Sequence, residues 1–261
     1  MTPPSTGRSP RAAWLSVLLV LCAISIYGSL VFYSGLNPVK LWDGLPRLGK
    51  WILRSWPPDF SDFPTLLYRA FETVAMATVG VSLAAAIAVP LSFLAARNTS
   101  PSPLLYFPSR WFLNALRGID SFVFALIFVA AVGLGPFAGV LGIAVHNAGS
   151  IAKLWAESIE TADSGPIDAA RMSGAGGIKV FVYALLPGVM PALASTLLYL
   201  LEFNVRASTV LGIVGAGGIG QELKNSVDLL AFDRLLAIVL IILAMVTIVD
   251  AISARLRRYF A

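Results

Sequence analysis

Charge is what this sequence has least of. Of its 261 residues, 13% are Asp, Glu, Lys or Arg, about half the share of an ordinary soluble domain. Cysteine is nearly absent too: Cys22 stands alone, which excludes an intramolecular disulfide and leaves the redox compartment unreadable from thiols. There is a single histidine, His146, and no H-E-x-x-H, G-x-S-x-G or G-x-x-x-x-G-K-[ST]. The catalytic inventory therefore supports neither an enzyme nor a chain that hydrolyses ATP itself, and no residues are assigned to a metal. If the protein moves a solute uphill, another chain supplies the energy.

What is present is apolar: 57% of the residues are hydrophobic. Uncharged runs as long as Thr73–Ala96 and Val180–Leu201 match the roughly 20 helical residues that cross a ~30 Å hydrocarbon core. The fold class is accordingly all-α integral membrane, with about six transmembrane helices at 12–34, 70–96, 111–133, 137–158, 180–203 and 232–254. The first, "AAWLSVLLVLCAISIYGSLVFY", is about twice the length of a signal-peptide h-region and lacks a small-x-small cleavage site, so it is assigned as a membrane helix. Between Asp120 and Lys153 lie 32 residues without formal charge, and "VGLGPFAG" at 132–139 divides them into two spans. The last span is short between Arg234 and Asp250, and snorkelling ends extend it.

The formal charge of +5 sits mainly beside apolar spans, without a basic stripe interleaved with aromatics, which argues for membrane topology rather than nucleic acid. With both termini cytoplasmic, 11 basic residues lie inside (Arg8, Arg11, Arg97, Arg110, Arg117, Lys153, Arg171, Lys179, Arg255, Arg257, Arg258) and 8 outside. Residues 1–11 are then a cytoplasmic N-terminus and 35–69 an external loop. In that loop "VKLWDGLPRLGKWILRSW" mixes tryptophans with basic residues, as does a segment lying along the membrane surface or one that docks a partner.

Residues 209–223, "TVLGIVGAGGIGQEL", space Gly215, Gly217 and Gly220 as the G-x-G-x-x-G of a dinucleotide turn. That motif needs a βαβ unit around it, whereas the chain here runs on into a further apolar span, so the nucleotide reading is rejected. The apolar "ASTVLGIV" after Arg206 is too short to cross, which predicts a re-entrant segment over 206–222. Gly215, Gly217, Gly218 and Gly220 would permit tight turns there, as a gate at the outer end of a pathway or as a packed turn.

"EFNVRAS" adds Glu202, Asn204, Arg206 and Ser208, placed where an anion could pass. Arg206 suits either a transient oxyanion contact or a pair with Glu202 one helical turn away. His146 and Asn147 lie near the middle of the fourth span, as a helix-to-helix hydrogen bond or as pathway groups.

Between the fourth and fifth spans, "SGPIDAARMSGAGG" predicts a short helix over 164–175. Pro166 suits its first position, Asp168 its N-terminal half, and the glycines from Gly174 its end. Ala170 and Gly174 leave one face nearly bare, suited to close fitting against another protein.

"DAARMSGAGGIKVFVYALLPGVMP" resembles the EAA loop of bacterial ABC importer permeases: Asp168, Ala169, Ala170, Gly174, Leu186 and Pro187 fall in register. Asp168 replaces the usual glutamate, and Ala184 stands at the usual isoleucine. "FVFALIFVAAVGLGPFAGVLGIAVHNAGSIAKLWAESIE" and "EFNVRASTVLGIVGAGGIGQEL" are similar to the permease of phosphonate importers, a resemblance over roughly 110–225. The resemblance implies an ABC importer permease fold with a permease core over 70–258, in a bacterial cytoplasmic membrane. It implies a homodimer, two cytoplasmic ATPase subunits that hold ATP and Mg, and an external substrate-binding protein delivering phosphonate, phosphite or a related oxyanion. Asp168, Ala169, Ala170, Arg171 and Gly174 would form the ATPase-docking contact, and this chain would bind no cofactor. Two alternatives stand: an importer permease for another small substrate such as an amino acid, and a secondary transporter, for which no paired internal carboxylates are seen.

Overall fold

The computed structural model describes residues 10–260, and within them no strand occurs. Residues 1–9, including Arg8 of the orientation argument and most of the expected cytoplasmic N-terminus, lie outside the described residues. The chain forms two compact units, Met1–Leu53 and Arg54–Ala261. The first contains α1 (Pro10–Tyr33) and nearly all of α2 (Pro38–Arg54), joined through Gly35 with φ +67°.

The second unit holds α3 (Phe63–Ala95), α4 (Pro103–Gly118), α5 (Ser121–Val132), α6 (Pro136–Glu160), α7 (Ser164–Met172), α8 (Gly177–Val180), a π-turn (Phe181–Leu185), α9 (Leu186–Ile213), α10 (Ile219–Asp228) and α11 (Phe232–Phe260). Helix α6 is its centre, packed against α3, α4, α5 and α9. In lipid the contact between helices rests on van der Waals fit rather than on hydrophobic expulsion, so small residues mark the interfaces. Ala84, Ala88, Ala138, Ala148 and Ala152 are fully enclosed, and a Cβ on Gly142 would lie 2.8 Å from the Ala125 nitrogen of α5. A second cluster joins Leu66 and Ala70 of α3 to Val205, Ile219, Ile238 and Ile241 at the other end of the unit.

Among the described residues five helices are long and apolar enough to cross a membrane, and a bent pair makes a sixth crossing if it is one span. That pair corrects the expected helix over 111–133. Helices α4 and α5 meet at 83°, because Ile119 is extended and the Asp120 carboxylate accepts from the Phe122 N–H at 2.8 Å, starting a new helix. The expected span over 180–203 is also revised. Helix α9 continues unbroken to Ile213, so Glu202 and Arg206 lie within it. At its start the π-turn precedes Pro187, which has no N–H to give the preceding turn; the Leu186 N–H reaches back to the Phe181 carbonyl instead.

Candidate functional site

Two ends of the second unit carry the residues singled out from the sequence. At one, Glu160 closes α6 and gathers its neighbours. Its Oε1 accepts from the Arg97 backbone N–H at 2.8 Å and its Oε2 from Arg110 at 2.9 Å, while the Asn98 amide donates to the Ile159 carbonyl at 2.7 Å. The ends of α3 and α6 and the middle of α4 are thereby fastened together. The Tyr106 hydroxyl accepts from Arg97 Nε at 2.9 Å, and this bond raises the Arg97 pKa above its ordinary value.

Helix α7 projects from this floor and begins at Asp163, whose carboxylate caps the Gly165 N–H at 3.0 Å. Pro166 is therefore its third residue, not its first. The helix stops at Met172 in a Schellman arrangement: Ala175 donates to Ala170 and Gly174 to Arg171, with Gly174 at φ +79°. Asp168 and Arg171 form a loose 3.8 Å pair, with side chains 57% and 65% exposed. Met172 and Ile178 are exposed beside them. Between α7 and the floor lies a groove of about 670 Å³ bordered by Phe93, Asn98, Glu160, Asp168, Arg171 and Phe181. Asp168, Ala169, Ala170, Arg171 and Gly174 thus share one short projecting helix and its cap.

At the opposite end, residues 214–218 form a turn between α9 and α10. Gly215 accepts through its carbonyl from the Gly135 N–H at 2.9 Å. The Gly218 N–H donates to Glu72 at 3.2 Å and the Ile219 N–H to the Thr73 hydroxyl at 2.8 Å. Gly218 has φ +73°, and a Cβ there would meet Thr73 at 2.5 Å. Gly220 lies within α10 where that helix touches α9, and a Cβ would collide with the Thr209 carbonyl. Gly215, Gly217 and Gly218 therefore build a tightly packed turn, with Ala216 fully enclosed, and Gly220 lets α10 approach α9. Ion pairs surround it: Arg69 with Glu72 at 2.9 Å, and Glu222 with Arg69 at 3.7 Å and Arg234 at 3.1 Å.

The six expected pathway residues divide among separate contacts. Asn147 and Asn204 exchange amide hydrogen bonds at 2.9 Å between α6 and α9, and the Ser208 hydroxyl donates to the Asn204 carbonyl at 2.7 Å. His146 contacts the Ile119 carbonyl through Nδ1 at 2.7 Å, which satisfies an acceptor freed by the α4–α5 break. Glu202 turns toward α11, where its carboxylate lies 2.6 Å from Arg257. Of the two readings of Arg206, the pair with the Glu202 carboxylate is not formed: among the described residues Arg206 donates to the Glu202 backbone carbonyl, at 3.4 Å, and is exposed.

Two features escaped the sequence reading. Arg69 and Glu72 stand three residues apart, a readable pair, but Glu72 also meets Gly218, 146 positions away. Arg257 resembles an ordinary flanking cation, and nothing local marks its reach to Glu202.

Residues 88–260 match the family described as the binding-protein-dependent transport system inner membrane component. HtxC of Stutzerimonas stutzeri, provisionally named a phosphite transport system permease protein, is 50% identical over 96% of this chain and 87% of its own length. PtxC of the same organism, a phosphite transport system permease protein, is 43% identical over 88% of this chain and 84% of its own. Among solved structures, a chain of the inward-facing MetNI methionine ABC transporter matches with a TM-score of 0.67 and 22% identity. That match spans 77% of this chain and 99% of the other and establishes a shared fold.

Proposed function

The chain belongs to the inner membrane components of binding-protein-dependent transport systems, a multi-pass permease of the bacterial plasma membrane, and on that premise we propose that it passes phosphite or a related phosphorus oxyanion inward. The observation that carries the cargo is the nearly end-to-end similarity to permeases of phosphite systems. An external binding protein delivers the anion, and two ATPase subunits, which hold ATP and Mg²⁺, drive the cycle. The permease works as a homodimer with its termini in the cytoplasm.

Helix α7 supports the docking role of Asp168, Ala169, Ala170, Arg171 and Gly174. It projects beyond the Glu160 floor, exposes Met172, and continues through α8 and the π-turn into α9. Displacement of α7 by an ATPase is then transmitted to the helix bearing Asn204 and Arg206. The Gly215–Gly220 turn, clamped to α3 through Glu72 and Thr73, acts as the outer closing element of that helix. Arg206 supports a transient anion contact, since among the described residues its guanidinium meets a backbone carbonyl rather than a carboxylate and presents a planar fork to an oxyanion.

The test is uptake of labelled phosphite by cells whose own phosphite and phosphonate permeases are deleted and which express this chain with its transport partners. Competition by unlabelled phosphite or methylphosphonate, with no effect of methionine, is expected. Methionine competition would replace the cargo assignment. Arg206→Ala should assemble normally and reduce uptake by about tenfold or more, as loss of a charged hydrogen bond of about 1.5–3 kcal/mol implies; unchanged uptake removes Arg206 from the pathway.

A further inference from the structure

Helix α2 separates its side chains into two faces more sharply than any assignment of the transport machinery requires. At 100° per residue, Lys40, Arg47, Lys50 and Arg54 fall within an arc of about 80°, accompanied by one acidic residue, Asp43. Leu41, Leu45, Leu48 and Ile52 occupy the opposite arc with Trp42. None of the helix's residues is buried, and Leu41, Trp42 and Ile52 are 68%, 75% and 71% exposed.

Its position along the chain says what covers the apolar face. Helix α1 carries a 20-residue apolar span, Trp14–Tyr33, and α2 begins at Pro38, with Asn37 Oδ1 accepting from the Val39 N–H at 3.0 Å to start it. Four intervening residues reach at most about 14 Å, so α2 starts within the interfacial layer of the bilayer. At 17 residues with five charges it is too polar to cross.

We propose that α2 lies in the membrane plane and that Lys40, Arg47, Lys50 and Arg54 recognise anionic phospholipid headgroups, anchoring the start of the chain to acidic lipid. Burial of the Leu41, Leu45, Leu48 and Ile52 face supplies the adhesion, and the four cations supply selectivity for phosphatidylglycerol over zwitterionic lipid. A free phosphorus oxyanion does not meet this description, because the basic row is extended along about 20 Å of helix and forms no enclosing cradle. The inference is independent of the cargo.

The experiment uses the full chain in proteoliposomes. Cys22→Ser removes the native thiol, Leu45→Cys carries a bimane probe, and quenching is compared for brominated phosphatidylglycerol and brominated phosphatidylcholine at equal fractions. The proposal expects phosphatidylglycerol to quench at least about twofold more strongly. The preference should disappear when Lys40, Arg47, Lys50 and Arg54 are all changed to Gln, and shrink in about 1 M salt, where screening acts within ~3 Å. Equal quenching by the two lipids with all four cations present overturns the headgroup assignment. A probe that neither lipid quenches shows the apolar face covered by protein and overturns it as well.

Discussion

The amides of Asn147 and Asn204 donate to one another's oxygens across the α6–α9 contact, 2.9 Å in each direction, and both side chains are completely enclosed. Each also donates to a carbonyl one turn earlier in its own helix, Ile143 at 2.8 Å and Leu200 at 2.7 Å. Both amides are thus satisfied without water, and the pair fixes the register of the two helices. Asn147→Ala or Asn204→Ala leaves a buried amide half-paired and should cost about 1–2 kcal/mol. Thermal unfolding of the purified protein across a double-mutant cycle should give a coupling of about 0.6–1.7 kcal/mol. Strict additivity would show that the two amides act separately.

The two arginines closest to Glu202 should behave differently. Arg257→Ala strands a carboxylate whose side chain is 10% exposed. Because Arg257 is itself about one-third exposed, the expected loss is about 1–3 kcal/mol, between surface and buried limits. Arg206→Ala breaks only a long contact to a backbone carbonyl and should stay within about 0.5 kcal/mol. Equal losses in chemical denaturation would refute the pairing.

Gly220→Ala and Gly174→Ala separate crowding from backbone conformation. At Gly220 the new methyl collides with the Thr209 carbonyl, so α9 and α10 must move apart; a loss of about 3 kcal/mol or more is expected, at the upper end for overpacking. At Gly174 the space is open and only φ +79° opposes a side chain, at about 1–2 kcal/mol. Melting temperatures of the two variants check the order.

The long spans α1, α3, α6 and α11 were legible because uninterrupted apolar stretches admit few other structures in a bilayer. Helix α7 was legible from Gly174 and the EAA-like register, although its true cap, Asp163, is one residue before the quoted motif. The α4–α5 break was missed because an apolar span over 111–133 runs through Asp120 without any other signal; the capping role of that carboxylate shows only in the bend. The end of α9 was misplaced because Glu202 and Arg206 look like the edge of a membrane segment. Arg257 and the buried α6 contact allow polar groups to remain inside the helix. Asn147 and Asn204 were each found from their position, but their pairing spans 57 residues and has no local signature.

The most direct test is purification of the tagged permease from its native membranes in mild detergent, followed through co-purifying chains and ATP hydrolysis. An ATPase subunit should accompany the wild-type protein. Asp168→Lys and Gly174→Trp, at the exposed helix α7 and its cap, should lose the ATPase and its stimulated turnover while unfolding at temperatures within a few degrees of the parent. An ATPase retained at full stoichiometry by both variants would contradict α7 as the coupling contact. Absence of any ATPase, with substrate carried by the protein alone down an ion gradient, would contradict ATP-driven transport altogether.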